Sequence, residues 1–216
     1  MSKVLLNKKY ITELNLGMNG IFAEGAVALG QALKDKKYLE VFNLKKNDIG
    51  FQGIQALEEV ISLSKTLKEL NLNNNDIGDY GVKTVIKALT AKKKQNLQVL
   101  SLSNNKITSV GCKMVCDFLP TCKTLEEVTL SNNEIDNKGA SELIKVMTKG
   151  AKIQSVDIDN NKISGGTLTE LFNILPIKNL NLLKNVLDDT QVAPISKTLR
   201  ENPGIQQIYM SHNQMS

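Results

Sequence analysis

The chain of 216 residues has few of the side chains from which catalytic and metal sites are usually built. It contains one histidine, His212, one arginine, Arg200, and three cysteines, and it has no tryptophan. With a single histidine near the last residue, no Ser-His-Asp or Cys-His set can be assembled. The cysteines all lie between Cys112 and Cys122, which is not a disulfide framework and indicates a reducing compartment. We therefore predict a cytoplasmic protein that is not an enzyme and uses no cofactor.

Long apolar segments are missing as well. No run of about eighteen apolar residues occurs, and residues 1–9 have too short an apolar core for a signal peptide. We therefore expect no membrane association. The formal net charge of +5 comes almost entirely from lysine, so its meaning depends on where the lysines lie.

A repeated motif is what the chain has in abundance. The pattern Leu-x-x-Leu-x-Leu-x-x-Asn-x-Ile recurs with its asparagine at Asn19, Asn47, Asn75, Asn105, Asn133, Asn161, Asn185 and Asn213. Successive asparagines are 28, 28, 30, 28, 28, 24 and 28 residues apart, and a period of this length indicates stacked copies of one unit. The pattern predicts a single domain over residues 1–216 without terminal caps, with repeats that begin near residues 11, 39, 67, 97, 125, 153, 177 and 205.

The third copy shows what one unit should look like. Leu70 and Leu72 alternate with polar residues, so they point to one face of a short strand. After a turn through residues 78–81, apolar residues from Val82 to Leu89 follow at helical spacing. Such a unit cannot bury its apolar stripe alone, so neighbouring units must stack. The strands should then form one parallel sheet with the helices outside it.

The eight in-phase copies, over residues 11–216, resemble the leucine-rich repeat family in its ribonuclease-inhibitor-like class. The resemblance implies an α/β fold, a leucine-rich repeat solenoid or horseshoe with a parallel inner sheet of about eight strands and outer helices. Two copies depart from the pattern. The sixth is four residues short, and the seventh has Pro194 inside its expected helix, so we expect local distortion around residues 165–200.

Two groups of residues invite a chemical interpretation. Asp157 and Asp159 lie on one side of a predicted strand and could hold a cation or transfer protons. Cys112 and Cys116 lie one helical turn apart and could share a metal. We interpret the carboxylates as solvated groups on an open sheet and the thiols as core residues. The asparagines are interpreted as structural, because an amide both donates to and accepts from main-chain groups. No catalytic, cofactor-binding or metal-binding residue is predicted.

The strand positions that alternate with the core residues form a polar, mildly acidic inner face. We predict that this concave face binds protein, through Glu13, Asn15, Asn43, Glu69, Asn71, Asn73, Ser101, Ser103, Glu127, Ser131, Asp157, Asp159 and Tyr209. It has few aromatic residues, which indicates a weak or extended contact. Nucleic acid is not expected to bind, because the face has the wrong sign and no stacking platforms.

The loops that leave the helices are rich in lysine. The predicted basic rim consists of Lys36, Lys37, Lys65, Lys93, Lys94, Lys123 and Lys152. These lysines could complement the negative ends of the helix dipoles, or they could steer an acidic partner. A further contact is expected at the C-terminal end, where Ile208, Met210 and Met215 have no following helix. We expect a fragment of a longer array there, or a second subunit that covers this end.

The sequence therefore favours a non-enzymatic protein-interaction or scaffold module, a subunit of a larger cytoskeletal or axonemal assembly. Acidic tubulin would suit the basic rim. One alternative is a GTPase-activating regulator of a Ras-like GTPase, because the activator of Ran is similar to this repeat class. Another is a bacterial effector that binds a host protein. The identity of the partner is left open.

Overall fold

The computed structural model describes residues 10–91, 95–149, 152–171, 178–201 and 204–214. Three-residue strands alternate with helices along the chain. The strands are β1 (Glu13–Asn15), β2 (Val41–Asn43), β3 (Glu69–Asn71), β4 (Val99–Ser101), β5 (Glu127–Thr129), β6 (Ser155–Asp157), β7 (Asn179–Asn181) and β8 (Gln207–Tyr209). The α-helices are α1 (Phe22–Leu33), α2 (Gly50–Leu63), α3 (Gly78–Thr90), α4 (Ser109–Phe118), α5 (Asn137–Thr148), α6 (Gly165–Leu171) and α7 (Val192–Glu201).

The eight strands form one parallel sheet in the order of the sequence, from β1 to β8. Each strand begins two residues after a predicted repeat start, and equivalent motif positions pair, as Leu14 does with Phe42 and Phe42 with Leu70. The repeat period of the sequence thus becomes the register of the sheet. The predicted α/β solenoid with a parallel sheet and outer helices is confirmed. None of the described helices is long and apolar enough to cross a membrane.

One continuous core runs between the sheet and the helices. Motif leucines such as Leu100 and Leu102 are fully buried, and so are helix residues such as Val85 and Val115. Full burial of one such side chain stabilises the fold by roughly 1.5–3 kcal/mol. Because the core of each unit is completed by its neighbours, the energy of the fold is spread along the whole stack.

The motif asparagines tie neighbouring units together. The side chains of Asn47, Asn75, Asn105, Asn133, Asn161 and Asn185 are buried. The Asn75 Oδ1 accepts a hydrogen bond from the amide of Asn47, one unit earlier, at 3.1 Å. Its Nδ2 donates to the carbonyls of Leu44 at 2.9 Å and Leu72 at 3.0 Å. Each amide therefore satisfies main-chain groups of two units at the bend where the strand ends.

The helices begin in two different ways. The first residues of α1, α2 and α3 are Phe22, Gly50 and Gly78, with positive φ angles of 54°, 62° and 58°. In contrast, α4 and α5 begin after the N-cap residues Thr108 and Asp136. Their side chains accept hydrogen bonds from backbone amides two residues later, at 3.1 and 2.8 Å. Side-chain capping thus replaces a left-handed first residue in the middle of the stack.

Capping also crosses from one unit to the next. Asp79, in the first turn of α3, accepts hydrogen bonds from the amides of Thr108 at 2.9 Å and Gly111 at 3.0 Å. One unit later, the Ser109 hydroxyl accepts from the amide of Gly139 at 3.0 Å. The start of each of these helices is therefore stabilised by the helix before it.

The distortion expected around residues 165–200 takes a mild form in the described part of that segment. Helix α6 is described over Gly165–Leu171, and the residues that follow it lie outside the described part of the chain. Helix α7 begins only at Val192, after a 3-10 turn at Asp189–Gln191, so that Pro194 is its third residue. A first-turn amide has no partner within a helix, and a proline is tolerated there.

Candidate functional site

The candidate site is the sheet face turned away from the helices, here called the open face. In each strand the middle residue is packed into the core, while its two neighbours point to the other side of the sheet. Of the predicted contact residues, the more exposed ones are Glu13, Asn15, Glu69 and Tyr209. The half-buried ones are Asn43, Asn71, Asn73, Glu127, Asp157 and Asp159. These residues of the open face therefore form a polar surface across the sheet.

Three predicted contact residues are less accessible than the strand pattern indicates. Ser101, Ser103 and Ser131 are buried. The Ser103 hydroxyl lies 3.1 Å from the Thr129 Oγ1 and 3.2 Å from the Ser131 Oγ. Short side chains that hydrogen bond to each other lie below the level of their longer neighbours. The expectation of exposed contacts at these three serines is therefore corrected.

The Asn and Asp residues at the strand ends have a local structural role that the sequence interpretation missed. Their Oδ1 atoms accept a hydrogen bond from the amide two residues later, at 3.0–3.3 Å, in Asn15, Asn43, Asn71, Asp157 and Asn181. This is the Asx-turn geometry, in which a side chain takes the place of a backbone acceptor. The recurrence of Asn or Asp at one register position was the available signal. These groups have part of their hydrogen-bonding capacity already used.

A row of glutamates crosses the open face. Glu13, Glu69 and Glu127 occupy the same register position on β1, β3 and β5, with Val41 and Val99 on the strands between them. Because neighbouring strands lie roughly 4.8 Å apart, successive glutamates stand about 9.6 Å apart. Within the part of the chain that the structure describes, none of the three forms an ion pair. We call Glu13, Glu69 and Glu127 the glutamate row.

A shallow depression of about 220 Å³ lies on the open face over β5–β8. Its lining includes Glu127, Asp157 and Tyr209. Burial raises the pKa of Asp157 to about 6, against the effect of a hydrogen bond from Ser131, and the charge of Asp159 raises it further. This part of the open face therefore loses negative charge as the pH falls through about 6.

Asp157→Asn is expected to change how stability depends on pH. The folded protein holds a proton on Asp157 more tightly than the unfolded chain, whose pKa is about 3.9. Stability from this group is present below pH 4 and is lost as the pH rises to about 6. The free energy of unfolding of the variant, minus that of the wild type, should therefore rise between pH 4 and 6 and then level off.

Urea denaturation at a series of pH values measures this difference. The exposed Glu170→Gln is the control for loss of one carboxylate. A difference for Asp157→Asn that is the same at every pH would contradict the assignment.

The predicted basic rim is only partly present among the described residues. Lys37, Lys65, Lys123 and Lys152 are exposed, whereas Lys93 and Lys94 lie outside the described residues. Lys36 is only 8% exposed, so its assignment to an exposed rim is wrong. The Lys36 amide donates to the carbonyl of Leu33 at 2.8 Å. This tight turn after α1 folds the chain back against the packed layers.

The C-terminal residues of the prediction are partly described. Ile208 and Met210 are half-buried and pack against the core, whereas Met215 lies outside the described residues. A contact with a partner at these positions stays a prediction.

All three cysteines are free thiols buried in the core. Cys112 and Cys116 are buried on α4, and the Cys112 Sγ lies 3.5 Å from the carbonyl of Gly139. The hydrogen bond with Cys112, together with burial, raises the pKa of the Cys116 thiol. A buried thiol with a raised pKa is a poor nucleophile and a poor metal ligand. Among the described residues, no three His, Cys, Asp or Glu side chains come together as a metal-binding group.

Comparisons with known proteins agree with this architecture. A family model described as "Leucine Rich repeats (2 copies)" matches residues 95–145, and one described as "Leucine Rich repeat" matches residues 7–30 and 63–85. No curated protein sequence matches significantly. Among solved structures, internalin C2 from Listeria monocytogenes str. 4b F2365 is 22% identical, with a TM-score of 0.62 over 95% of this chain and 74% of that chain.

A second similar structure is the actin-binding site 2 of leiomodin-1. It is 17% identical, with a TM-score of 0.49 over 92% of this chain and 87% of that chain. The family matches fall on separate repeats of one continuous stack, and the internalin C2 structure has the same fold. The chain therefore contains leucine-rich repeats, matched at residues 7–30, 63–85 and 95–145, and has the leucine-rich repeat fold.

Proposed function

We propose that this chain is a non-enzymatic protein-binding module whose open face binds a partner segment with regularly spaced basic side chains. The observation that carries the proposal is the glutamate row, in which Glu13, Glu69 and Glu127 occupy one register position on β1, β3 and β5 of a parallel sheet. The three carboxylates have no basic partner among the described residues. A partner that supplies such charges would gain several ion pairs at once.

The spacing of the row defines the partner more closely. Carboxylates about 9.6 Å apart match side chains on every third residue of a polyproline II segment, which rises about 9.3 Å over that distance. They also match every seventh residue of an α-helix, which rises about 10.5 Å. Val41 and Val99 lie between the glutamates and offer apolar contact between the charges. The expected partner is therefore a basic segment that crosses the strands.

The rest of the open face fits this class of partner. Asp157 and Asp159 add negative charge on β6 and just after it, and Tyr209 on β8 is 51% exposed. Tyrosine is among the residues enriched at the energetic centres of interfaces. The acidic partner predicted from the basic rim is less well supported, because Lys36 is buried. Membership of a larger cytoskeletal or axonemal assembly stays part of the proposal, as a finer prediction.

The alternatives have no specific support. Arg200, the only arginine, lies on α7, where its Nε donates to the carbonyl of Ser196 at 3.2 Å. A GTPase-activating role and a bacterial effector role therefore stay predictions. Single-turnover GTP hydrolysis by Ras-like GTPases, with and without the chain, tests the first of them.

The test compares two variants with the same net charge. Glu69→Gln combined with Glu127→Gln, here called the open-face variant, removes two carboxylates of the glutamate row. Glu59→Gln combined with Glu170→Gln, here called the helix variant, removes two exposed carboxylates from helices α2 and α6. The probe is a Lys-Pro-Pro repeat peptide, here called the spaced peptide. Since an exposed ion pair contributes about 0.2–1 kcal/mol, the open-face variant should bind it roughly tenfold more weakly at low ionic strength.

The helix variant should bind the spaced peptide as the wild type does. A peptide of the same composition with all its lysines in one block should bind the wild type more weakly than the spaced peptide. A helical peptide with lysine at every seventh residue distinguishes the two partner geometries. Equal losses in both variants would mean that net charge alone governs binding, and the proposal would fail.

A further inference from the structure

Phe22 has a backbone conformation that a phenylalanine rarely adopts. Its φ angle is 54°, in the left-handed region, where a bulky residue costs about 1–3 kcal/mol relative to a favoured conformation. The next two units have glycine at this position, Gly50 and Gly78, with φ angles of 62° and 58°. The amides of all three residues donate to a motif asparagine carbonyl of the following unit at 2.9 Å. The fold therefore fixes this conformation, and glycine would satisfy it without strain.

Burial does not compensate for the strain at Phe22. The side chain is 53% exposed, although it is a large apolar group. Its ring lies over Gly20, where a Cβ would be 3.5 Å from the Phe22 Cε2. A strained and half-exposed aromatic residue stabilises the fold less than glycine would at this position. Such outliers cluster at binding sites, where the strain is offset by function.

Phe22 is one end of an apolar row on the rim where the helices begin. Phe51 and Tyr80 are the second and third residues of α2 and α3, and their ring centroids are 6.1 Å apart. Tyr80 is 75% exposed, and Met18 and Val110 are also exposed. We call Met18, Phe22, Phe51, Tyr80 and Val110 the rim patch. These five residues belong to the first four units.

The same rim is charged in the following units. Lys138, the second residue of α5, is exposed. In the loops that enter α5 and α6, Glu134 pairs with Lys162 at 2.9 Å. Among the described residues, Val186 and Val192 are further exposed apolar side chains near the helix starts of later units, whereas the aromatic side chains of this rim, Phe22, Phe51 and Tyr80, belong to the first three units.

Acidic residues flank the rim patch. Glu24, Asp48 and Asp76 are exposed, and Lys46 is an exposed base near them. Asp76 pairs with Lys106 at 2.5 Å, whereas Glu24 and Asp48 form no ion pair with any described residue. A partner for this patch should therefore carry apolar side chains next to lysine or arginine.

We propose that the rim patch is a second docking surface, separate from the open face, for an amphipathic polypeptide segment with one apolar and one basic side. The apolar side covers Phe22, Phe51 and Tyr80, and the basic side meets Glu24 and Asp48. Aromatic side chains are frequent energetic centres of such contacts. The carboxylates of Glu24 and Asp48, which form no ion pair with any described residue, would repel an anionic lipid layer.

The test uses an amphipathic helical peptide of about five turns, with leucine on one face and lysine on the other. Phe22→Gly and Tyr80→Ser should each weaken its binding at least about tenfold, because each removes an exposed aromatic anchor. The matched control is Val27→Ser, which removes an exposed apolar side chain of α1 outside the patch. It should leave the affinity unchanged. A peptide with glutamate in place of lysine should bind the wild type at least about tenfold more weakly.

Stability measurements distinguish lost contacts from lost folding. Phe22→Gly should unfold at the same or a higher urea concentration than the wild type, because it relieves the left-handed strain. Tyr80→Ser changes an exposed, unstrained residue, so it tests the patch even if Phe22→Gly folds poorly. Equal binding of both peptides, or unchanged binding by Tyr80→Ser, would overturn the proposal.

Two further outcomes would assign the patch to another occupant and overturn the proposal. One is self-association of the wild type that Tyr80→Ser abolishes, as measured by sedimentation. The other is binding to uncharged phosphatidylcholine vesicles that Tyr80→Ser abolishes. The combined Glu69→Gln and Glu127→Gln variant should bind the leucine–lysine peptide as the wild type does. A loss in that variant alone would place the peptide on the open face and not on the rim patch.

Discussion

Asn75→Ala should lower the free energy of unfolding by about 4 kcal/mol. The amide side chain accepts hydrogen bonds from the amides of Asn47 at 3.1 Å and Ile49 at 3.4 Å. It also donates to the carbonyls of Leu44 and Leu72. Alanine would leave several buried main-chain groups without partners, and each such group costs about 1–3 kcal/mol. The expected total lies near the lower end of the sum, because some of these main-chain groups regain partners when the structure relaxes locally.

Asn19→Ala is the matched control, because Asn19 is the motif asparagine of the first unit. Asn19 is exposed, and among the described residues its side chain donates to the carbonyls of Leu16 and Gly17, both at 2.9 Å. Water can replace these bonds, so the expected loss is below about 1 kcal/mol. Urea denaturation followed by circular dichroism measures both values. Similar losses of unfolding free energy for Asn75→Ala and Asn19→Ala would show that the hydrogen bonds of the buried motif asparagines do not hold the units together.

Gly30→Ala should destabilise the protein by about 2 kcal/mol, although alanine is the better helix former. Gly30 lies within α1, and a Cβ built on it would lie inside the van der Waals distance of the Ala56 carbonyl oxygen in α2. The obstacle is backbone, so the two helices would have to move apart. Overpacking of this kind costs typically 1–3 kcal/mol, more than the roughly 1 kcal/mol that alanine contributes in a helix.

Gly166→Ala serves as the control for this prediction. Gly166 is the second residue of α6, and a Cβ built there would have no neighbour within 4 Å. Its substitution should leave stability unchanged or raise it by up to about 1 kcal/mol. Thermal unfolding of the two variants side by side gives the comparison. A stabilising Gly30→Ala would mean that α1 and α2 are not in close contact at this position.

The structural roles of the repeated motif positions were predictable, because each position has the same environment in every unit. A leucine at a given motif position meets the same neighbours each time, as Leu70 and Leu100 do in paired strands. The period alone therefore fixed which strand residues enter the core and that the strands run parallel. The asparagine column was predictable for the same reason, since a buried amide at a bend has main-chain groups to satisfy.

The departures from the sequence-based expectations lie where one unit differs from the next. Lys36 is buried because of a local turn after α1, which its charge gave no reason to expect. Asp79 caps a helix 29 residues later, through the amide of Thr108, and no pattern within one repeat contains both residues. Glycines at the same position in other units indicate the left-handed conformation of Phe22. This becomes apparent only when the backbone angles of the repeats are compared.

The candidate site was predictable as a surface but not in its details. Strand alternation identified the open face and its acidic character. It did not separate accessible residues such as Glu69 from the buried Ser103, because both alternate with core residues in the same way. Side-chain length and hydrogen bonding between neighbouring strands decide that difference. The glutamate row became apparent only when the register of the sheet was known.

Nuclear magnetic resonance of the isotope-labelled chain, titrated with the spaced peptide, tests the binding account most directly. The account predicts the largest chemical-shift changes at the backbone amides around Glu13, Glu69 and Glu127, on β1, β3 and β5. Amides on the exposed side of α2 and α3 should change little. Shifts confined to the helices, with the open face unchanged at saturating peptide, would contradict the central claim.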